Sequence, residues 1–222
     1  MQLSEHTVSV LKNFSSINTG LFFKKGNVLR TVSPGKTILA SAVIDEQMPS
    51  DFGIHELNQF LSILSLHKTS PDVSVDGNNL IIQGLEGRSR ITYRCCDSSQ
   101  IKTPPEKNVN VPSEDATFLL TEADLEWVMK CSSVLGCPNI AVVGQDGFLS
   151  LRLLDGHDDS AHTDTIKVET YTGPDCFYMF KAENWKMLPG TYKVTISAKG
   201  VAQFENEARR IQYWIALEQK TK

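Results

Sequence analysis

Two amphipathic helical patterns stand 117 residues apart, and each opens a run of short strand patterns. The first follows Ser4. At 100° per residue Val10, Leu11, Phe14 and Ile17 fall on one side, while Glu5, Ser9, Lys12 and Ser16 fall on the other. The second follows Thr121, with Asp124 as its capping-box partner three residues on. There Leu125, Val128, Met129 and Leu135 share a face, and Lys130 points away beside Glu126. The offsets agree: 121 − 4 = 117 for the caps and 130 − 12 = 118 for the two lysines. A chain that presents the same helix face twice, each time before strands, is expected to fold as two similar α+β domains.

The strand patterns support the repeat. After the first helix come Leu21–Phe23, Val28–Val32 and Thr37–Ile44, separated by the Lys25-Gly26-Asn27 and Ser33-Pro34-Gly35 turns. A helix over Ile54–His67 follows, then strands at Val73–Val75, Leu80–Gln83 and Arg90–Tyr93. The second half reads Ile140–Val143, the Asp146-Gly147 turn, Phe148–Leu154 and Thr165–Tyr171. A short helix at Ala182–Met187 precedes Thr191–Ala198, Val201–Phe204 and Ile211–Leu217. The order helix, three strands, helix, three strands thus occurs twice. Pro104, Pro105 and Pro112 mark residues 96–115 as a connector between domains at 1–95 and 116–222.

Composition narrows the function classes. With 41% apolar and 22% charged residues the chain is an ordinary globular mixture, not a disordered or coiled-coil one. Its 22 Lys+Arg against 26 Asp+Glu leave a net charge of -4, which excludes an overall basic coat for nucleic acid but not a local basic strip. The densest apolar run, Leu57–Leu66, carries Asn58 and Gln59 and falls short of the roughly 18 residues a membrane span needs. The start, Met1 to Glu5, lacks the pattern of a secretion signal. Five cysteines, with Cys95 and Cys96 adjacent, fit a reduced thiol set. A soluble intracellular protein without a membrane partner is expected.

Catalytic signatures are weak. Gly35-Lys36-Thr37 ends like a phosphate-binding loop, but Arg30 stands where its first glycine belongs and a strand pattern follows in place of a helix. Asp155 to Asp164 gathers His157, Asp159 and His162, which would make a metal-dependent enzyme of the chain. The cluster is local and polar, however, and reads as a solvated hairpin tip. Cys131 and Cys137 lack paired zinc spacing. No catalytic residue, metal ligand or cofactor is assigned.

Other stretches carry a resemblance. These are Leu11-Lys12-Asn13-Phe14, Ser16-Ile17-Asn18-Thr19-Gly20 and Leu57-Asn58 with Phe60-Leu61 and Ile63-Leu64-Ser65-Leu66. Further on come Lys186-Met187, Pro189-Gly190-Thr191-Tyr192-Lys193, Ala198-Lys199-Gly200 and Ile215-Ala216-Leu217-Glu218. In that order they resemble the sliding clamps, or polymerase processivity factors, of T-even-type tailed bacteriophages. The resemblance implies a homotrimeric ring of two-domain subunits, with helices lining the hole and antiparallel sheets outside. It implies that double-stranded DNA is encircled without sequence preference and that the phage DNA polymerase is tethered for processive replication. It also implies an ATP-driven clamp loader, and host RNA polymerase held through phage adaptors for late transcription, all in the host-cell cytoplasm.

By that resemblance Lys12, Lys130 and Lys186 match basic positions of the bore, and Lys181 and Lys68 are added by position. Their expected role is weak attraction to phosphates, since base contacts would stop sliding. Placement near the connector and the last strand suggests Ile101, Val109, Val111, Trp214 and Leu217 for partner binding, with core packing as the competing reading, above all for Leu217. The rival from another class is a β-rich viral structural or assembly protein, whose sheet edges would build open assemblies rather than a three-subunit ring.

Overall fold

Ser4 starts α1 (Glu5–Ile17), its Oγ accepting the Thr7 amide at 3.1 Å. Glu46 adds its carboxylate to the same end, accepting from the Ser4 amide and the Thr7 hydroxyl, where unpaired amides and the helix dipole favour negative charge. In this computed structural model, which describes residues 1–67, 69–84, 87–105, 109–158 and 160–218, the chain divides into two units. One is Met1–Lys107 with Arg209–Ile211, the other Asn108–Ala208 with Gln212–Lys222.

In the first unit α1 is followed by β1 (Leu21–Phe23), β2 (Gly26–Val32), β3 (Ile38–Met48) and β4 (Phe52–Ile54). Then come α2 (Leu57–Ser65), β5 (Asp72–Asp76), β6 (Asn79–Gly84) and β7 (Ser89–Arg94). All pairings are antiparallel: β1 with β4, β2 with β3, and β5-β6-β7 in sequence order. Helix α1 packs on β3 and α2, and Val10, Leu11 and Phe14 have no exposed surface. Phe60 of α2 meets Tyr93 of β7 edge to face at 5.8 Å, which seats that helix on the three-stranded sheet. Arg210, from the segment at 209–211, pairs with Asp45 of β3.

The second unit opens with β8 (Ala116–Leu120) and α3 (Glu122–Leu135). Next are β9 (Asn139–Gln145), β10 (Phe148–Leu154), β11 (Asp164–Thr170) and β12 (Cys176–Lys181), joined antiparallel in the order β11-β10-β9-β12. Strands β13 (Tyr192–Ser197), β14 (Val201–Asn206) and β15 (Ile211–Ala216) complete it, with β8 beside β13. Thr121 caps α3 by accepting the Asp124 amide at 3.1 Å while its hydroxyl donates to the Asp124 carboxylate at 2.6 Å. Gly136 ends the helix at φ 69°, a left-handed turn that suits glycine.

The repeat therefore has four strands after the first helix of each unit, where the sequence pattern suggests three. The extra ones, β4 and β12, pair with the strand that leaves the helix, β1 or β9. Each unit also has a strand position before its first helix: Gln2 bridges Asp72 of β5 as β8 pairs with β13. The expected helix at Ala182–Met187 is only a 3-10 turn, Ala182–Asn184. Trp185 wedges edge-on between Phe180 and Phe204, at 5.7 and 5.4 Å. The backbone of Leu188 is taken by tyrosines, its amide donating to Tyr213 Oη and its carbonyl accepting from Tyr192 Oη at 2.6 Å. Those groups are unavailable to a helical ladder, and Pro189 blocks its continuation.

Ser33 to Thr37 is the hairpin turn between β2 and β3, its Ser33 Oγ accepting the amides of Thr37 and Ile38 at 3.0 Å. The glycine-lysine-threonine run thus spends its local hydrogen bonds on the turn. No helix among the described residues is long and apolar enough to cross a membrane.

Candidate nucleic-acid interface

The outward faces of α1 and α3 follow from which side each helix buries. On α1, Thr7, Val10, Leu11, Phe14 and Ile17 are buried, leaving Glu5, Lys12 and Ser16 exposed. On α3, Leu125, Val128 and Ser132 are buried, leaving Glu122, Ala123, Glu126, Trp127, Lys130, Ser133 and Val134 exposed. Both lysines therefore stand on solvent faces, and replacing either removes no core contact.

Their surroundings differ. Lys130 donates to Glu126 one helical turn back, Nζ to Oε1 at 2.5 Å, with both side chains largely exposed. The ammonium holds the Glu126 carboxyl below its ordinary value. One turn either side of Lys12 stand Val8, Ser9, Ser15 and Ser16, none of them acidic. Trp127, half exposed, donates its indole N–H to Asp164 Oδ2 at 2.9 Å, tying α3 to the start of β11.

In the second unit the structure brings Lys130 and the 185–189 segment together. Leu125, Met129, Trp185, Met187 and Pro189 line a groove of about 440 Å³, with Glu122, Glu126 and Lys130 around it. Lys186 is exposed in that segment, beyond the 3-10 turn rather than on a helix. Lys181 is elsewhere in the unit. It ends β12 and lines a groove of about 590 Å³ with Asn139, His157, Glu183 and Glu218. Lys68 lies outside the described residues.

His157 lines the Lys181 groove, the carbonyl of His162 accepts the Cys137 thiol, and Asp159 lies outside the described residues. Among the described residues no three metal-binding side chains gather. Burial pushes the Cys131 and Cys137 thiols up, and nearby Asp164 adds to the effect, so both stay protonated near neutral pH.

The residues suggested for partner binding divide by burial. Ile101 and Trp214 are 7% and 8% exposed, core residues of the isolated chain. Gly53 leaves room for Ile101, since a Cβ there would come within 2.9 Å of its Cδ1. Val109 and Val111 are half-buried. Leu217 is also half-buried and borders a groove of about 400 Å³ beside Phe177, Met179 and Gly200, so part of its side chain is reachable. Its amide donates to the Gly200 carbonyl and the next amide, of Glu218, to Met179. Sequence reading missed the groove bordered by Phe22, Lys24, Val28 and Arg30 in the first unit. Its residues come from separate turns and strands, and no local pattern announces it.

Comparison with known proteins bears on the whole chain. Residues 4–102 match the family model described as DNA polymerase processivity factor, and residues 117–219 match gp45 sliding clamp, C terminal. The chain is 33% identical to the sliding clamp of Enterobacteria phage T4 over 227 residues, covering 98% of this chain and 97% of that one. It is 31% identical to the sliding clamp of Escherichia phage RB69 at the same coverage. In fold it is similar to the proliferating cellular nuclear antigen of Entamoeba histolytica, with a TM-score of 0.69, 15% identity and 98% of each chain covered. A structure of the A. fulgidus antigen bound to the C-terminal region of FEN-1 gives a TM-score of 0.72 at 12% identity, covering 100% of this chain and 98% of that one.

Proposed function

This chain belongs to the sliding clamps, the processivity factors of DNA polymerases, and on that premise we propose that it encircles duplex DNA as a closed ring of three copies. The carrying observation is that both halves of the chain match clamp models while each folds as its own helix-and-strand repeat. Domains at 1–95 and 116–222, joined by a connector at 96–115, make each subunit one third of the ring.

Sheet edges support closure. Among the described residues β7 pairs only with β6, and β11 only with β10. Each unit thus ends on a strand with one unpaired side, which is a template for another chain. Pairing β7 of one copy with β11 of the next is a head-to-tail contact, and such contacts form rings when the rotation closes.

In this reading the outward faces of α1 and α3 meet DNA. Lys12, Lys130 and Lys186 attract phosphates without reading bases, with Lys181 and Lys68 added by their position in the sequence. Retention comes from topology, so the contacts stay weak enough for sliding. The protein catalyses nothing itself. It tethers the phage DNA polymerase, is opened and closed by an ATP-driven loader, and holds host RNA polymerase through phage adaptors, in the host-cell cytoplasm. Leu217, with Val109 and Val111, is the reachable part of the partner surface.

Light scattering over a concentration series is expected to give about three times 24.7 kDa. Once loaded, the protein is retained on circular duplex and lost from the ends of linear duplex. Lys12→Ala with Lys130→Ala keeps the mass and fold but weakens DNA retention, with a shallower salt dependence. A monomer at every concentration, or open assemblies of growing size, refutes the ring.

A further inference from the structure

Lys12 and Lys130 hold matching places in the repeat but differ in electrostatic state. Lys130 is the one basic residue of α3, against Glu122, Asp124 and Glu126. Asp124 is engaged at the helix start with Thr121, which leaves Glu126 as the carboxylate that meets the ammonium. Glutamate one turn before lysine is the favourable order of such a pair along a helix. Side-chain exposures of 71% for Lys130 and 61% for Glu126 put the pair in contact with solvent, open to any anion approaching this face.

We infer that Glu126 is a built-in counterion for Lys130, weakening the grip of this helix on the DNA backbone and leaving Lys12 as the stronger of the two contacts. The inference rests on the reading above, in which the outward face of α3 meets DNA. A free lysine that approaches a phosphate displaces a condensed cation, and that release drives binding in dilute salt. A lysine already neutralised by a carboxylate must exchange one anion for another, so it releases less. The pair is exposed and therefore cheap to open. Glu126 thus tunes the contact without forbidding it, a useful property in a ring whose hold on DNA depends on closure and whose movement depends on weak contacts.

The test is equilibrium binding of the full-length protein to a short, open-ended DNA duplex across a range of sodium chloride concentrations. Wild type is compared with Glu126→Gln, Lys130→Gln and the double substitution. Both side chains are exposed, so circular dichroism and solution mass are expected to match wild type. Glu126→Gln tightens binding severalfold at low salt and steepens the plot of log affinity against log salt by up to about 0.9 for each phosphate newly neutralised. With Lys130→Gln already present, the same change has a clearly smaller effect, because only the loss of a repelling carboxylate remains. Equal effects of Glu126→Gln in the two backgrounds overturn the counterion role while leaving α3 beside DNA. Identical binding by all four proteins overturns the reading that α3 meets DNA, and the inference with it.

Discussion

The first helix of each unit occupies the same place in the repeat, yet the two are held differently. Three side chains of α1, Val10, Leu11 and Phe14, have no exposed surface, and the helix rests against both β3 and α2. In α3 the buried apolar side chains are Leu125 and Val128, and the helix lies on β10 and β11. The second helical positions diverge further: α2 runs nine residues, while its counterpart is the single turn at Ala182–Asn184. The sheets compensate. Strands β1 and β4 have three residues each, whereas β9 and β12 have seven and six. One topology is thus stabilised by helix packing in the first unit and by a longer sheet with an aromatic cluster in the second.

The largest test of that contrast removes a helix anchor from each unit. Phe14→Ala empties a fully buried aromatic site and is expected to cost about 3–5 kcal/mol in urea unfolding. Leu125→Ala, at a site 5% exposed on a helix with fewer buried partners, is expected near 2–3 kcal/mol, the lower end for its class. Equal losses would mean that the two helices carry the same load.

Smaller effects separate the helix ends. Glu46→Ala removes the carboxylate that braces the start of α1 and is expected to cost about 1–2 kcal/mol. Gly136→Ala forces a side chain into the left-handed turn that ends α3, at about 1 kcal/mol. Amide hydrogen exchange checks both: each loss of protection should concentrate in its own helix.

Acid has the mildest effect. Asp45 is held below its ordinary value by the hydrogen bond from Arg210, and Asp115 by Ser113 and the Ala198 amide. A carboxyl lowered by folding stabilises fully above its unfolded value, about 3.9, and loses that contribution as pH falls through the lowered folded value. These groups are exposed, so stability should stay level from neutral pH to about 5 and decline gently below 4. Asp45→Asn and Asp115→Asn should each flatten that decline, measured as urea midpoint against pH.

Much of this organisation was legible in local pattern. Helical spacing and caps located α1 and α3, and the Asp146-Gly147 turn between alternating runs marked β9 and β10. Even the Lys130–Glu126 pair was present as residues four apart. What escaped was structure made by distant partners. Strand β4 is Phe52–Ile54, too short for an alternating signal, and exists because β1 pairs with it. Strand β8 begins just past a proline-rich connector and is defined by β13. The expected helix near residue 185 failed because Tyr213, 25 residues on, claimed the amide of Leu188, while the nearby Tyr192 took its carbonyl.

The candidate site divides along the same line. Exposure of Lys12 and Lys130 follows from helix periodicity, a property of residues within a few turns, so sequence alone determined it. Whether Lys186 stood on a helix, whether Ile101 and Trp214 were reachable, and which side chains shared a groove with Leu217 were decided only in three dimensions. The reason is physical: periodicity tells a side chain which way to face, but burial and backbone hydrogen bonding depend on what the rest of the chain brings against it.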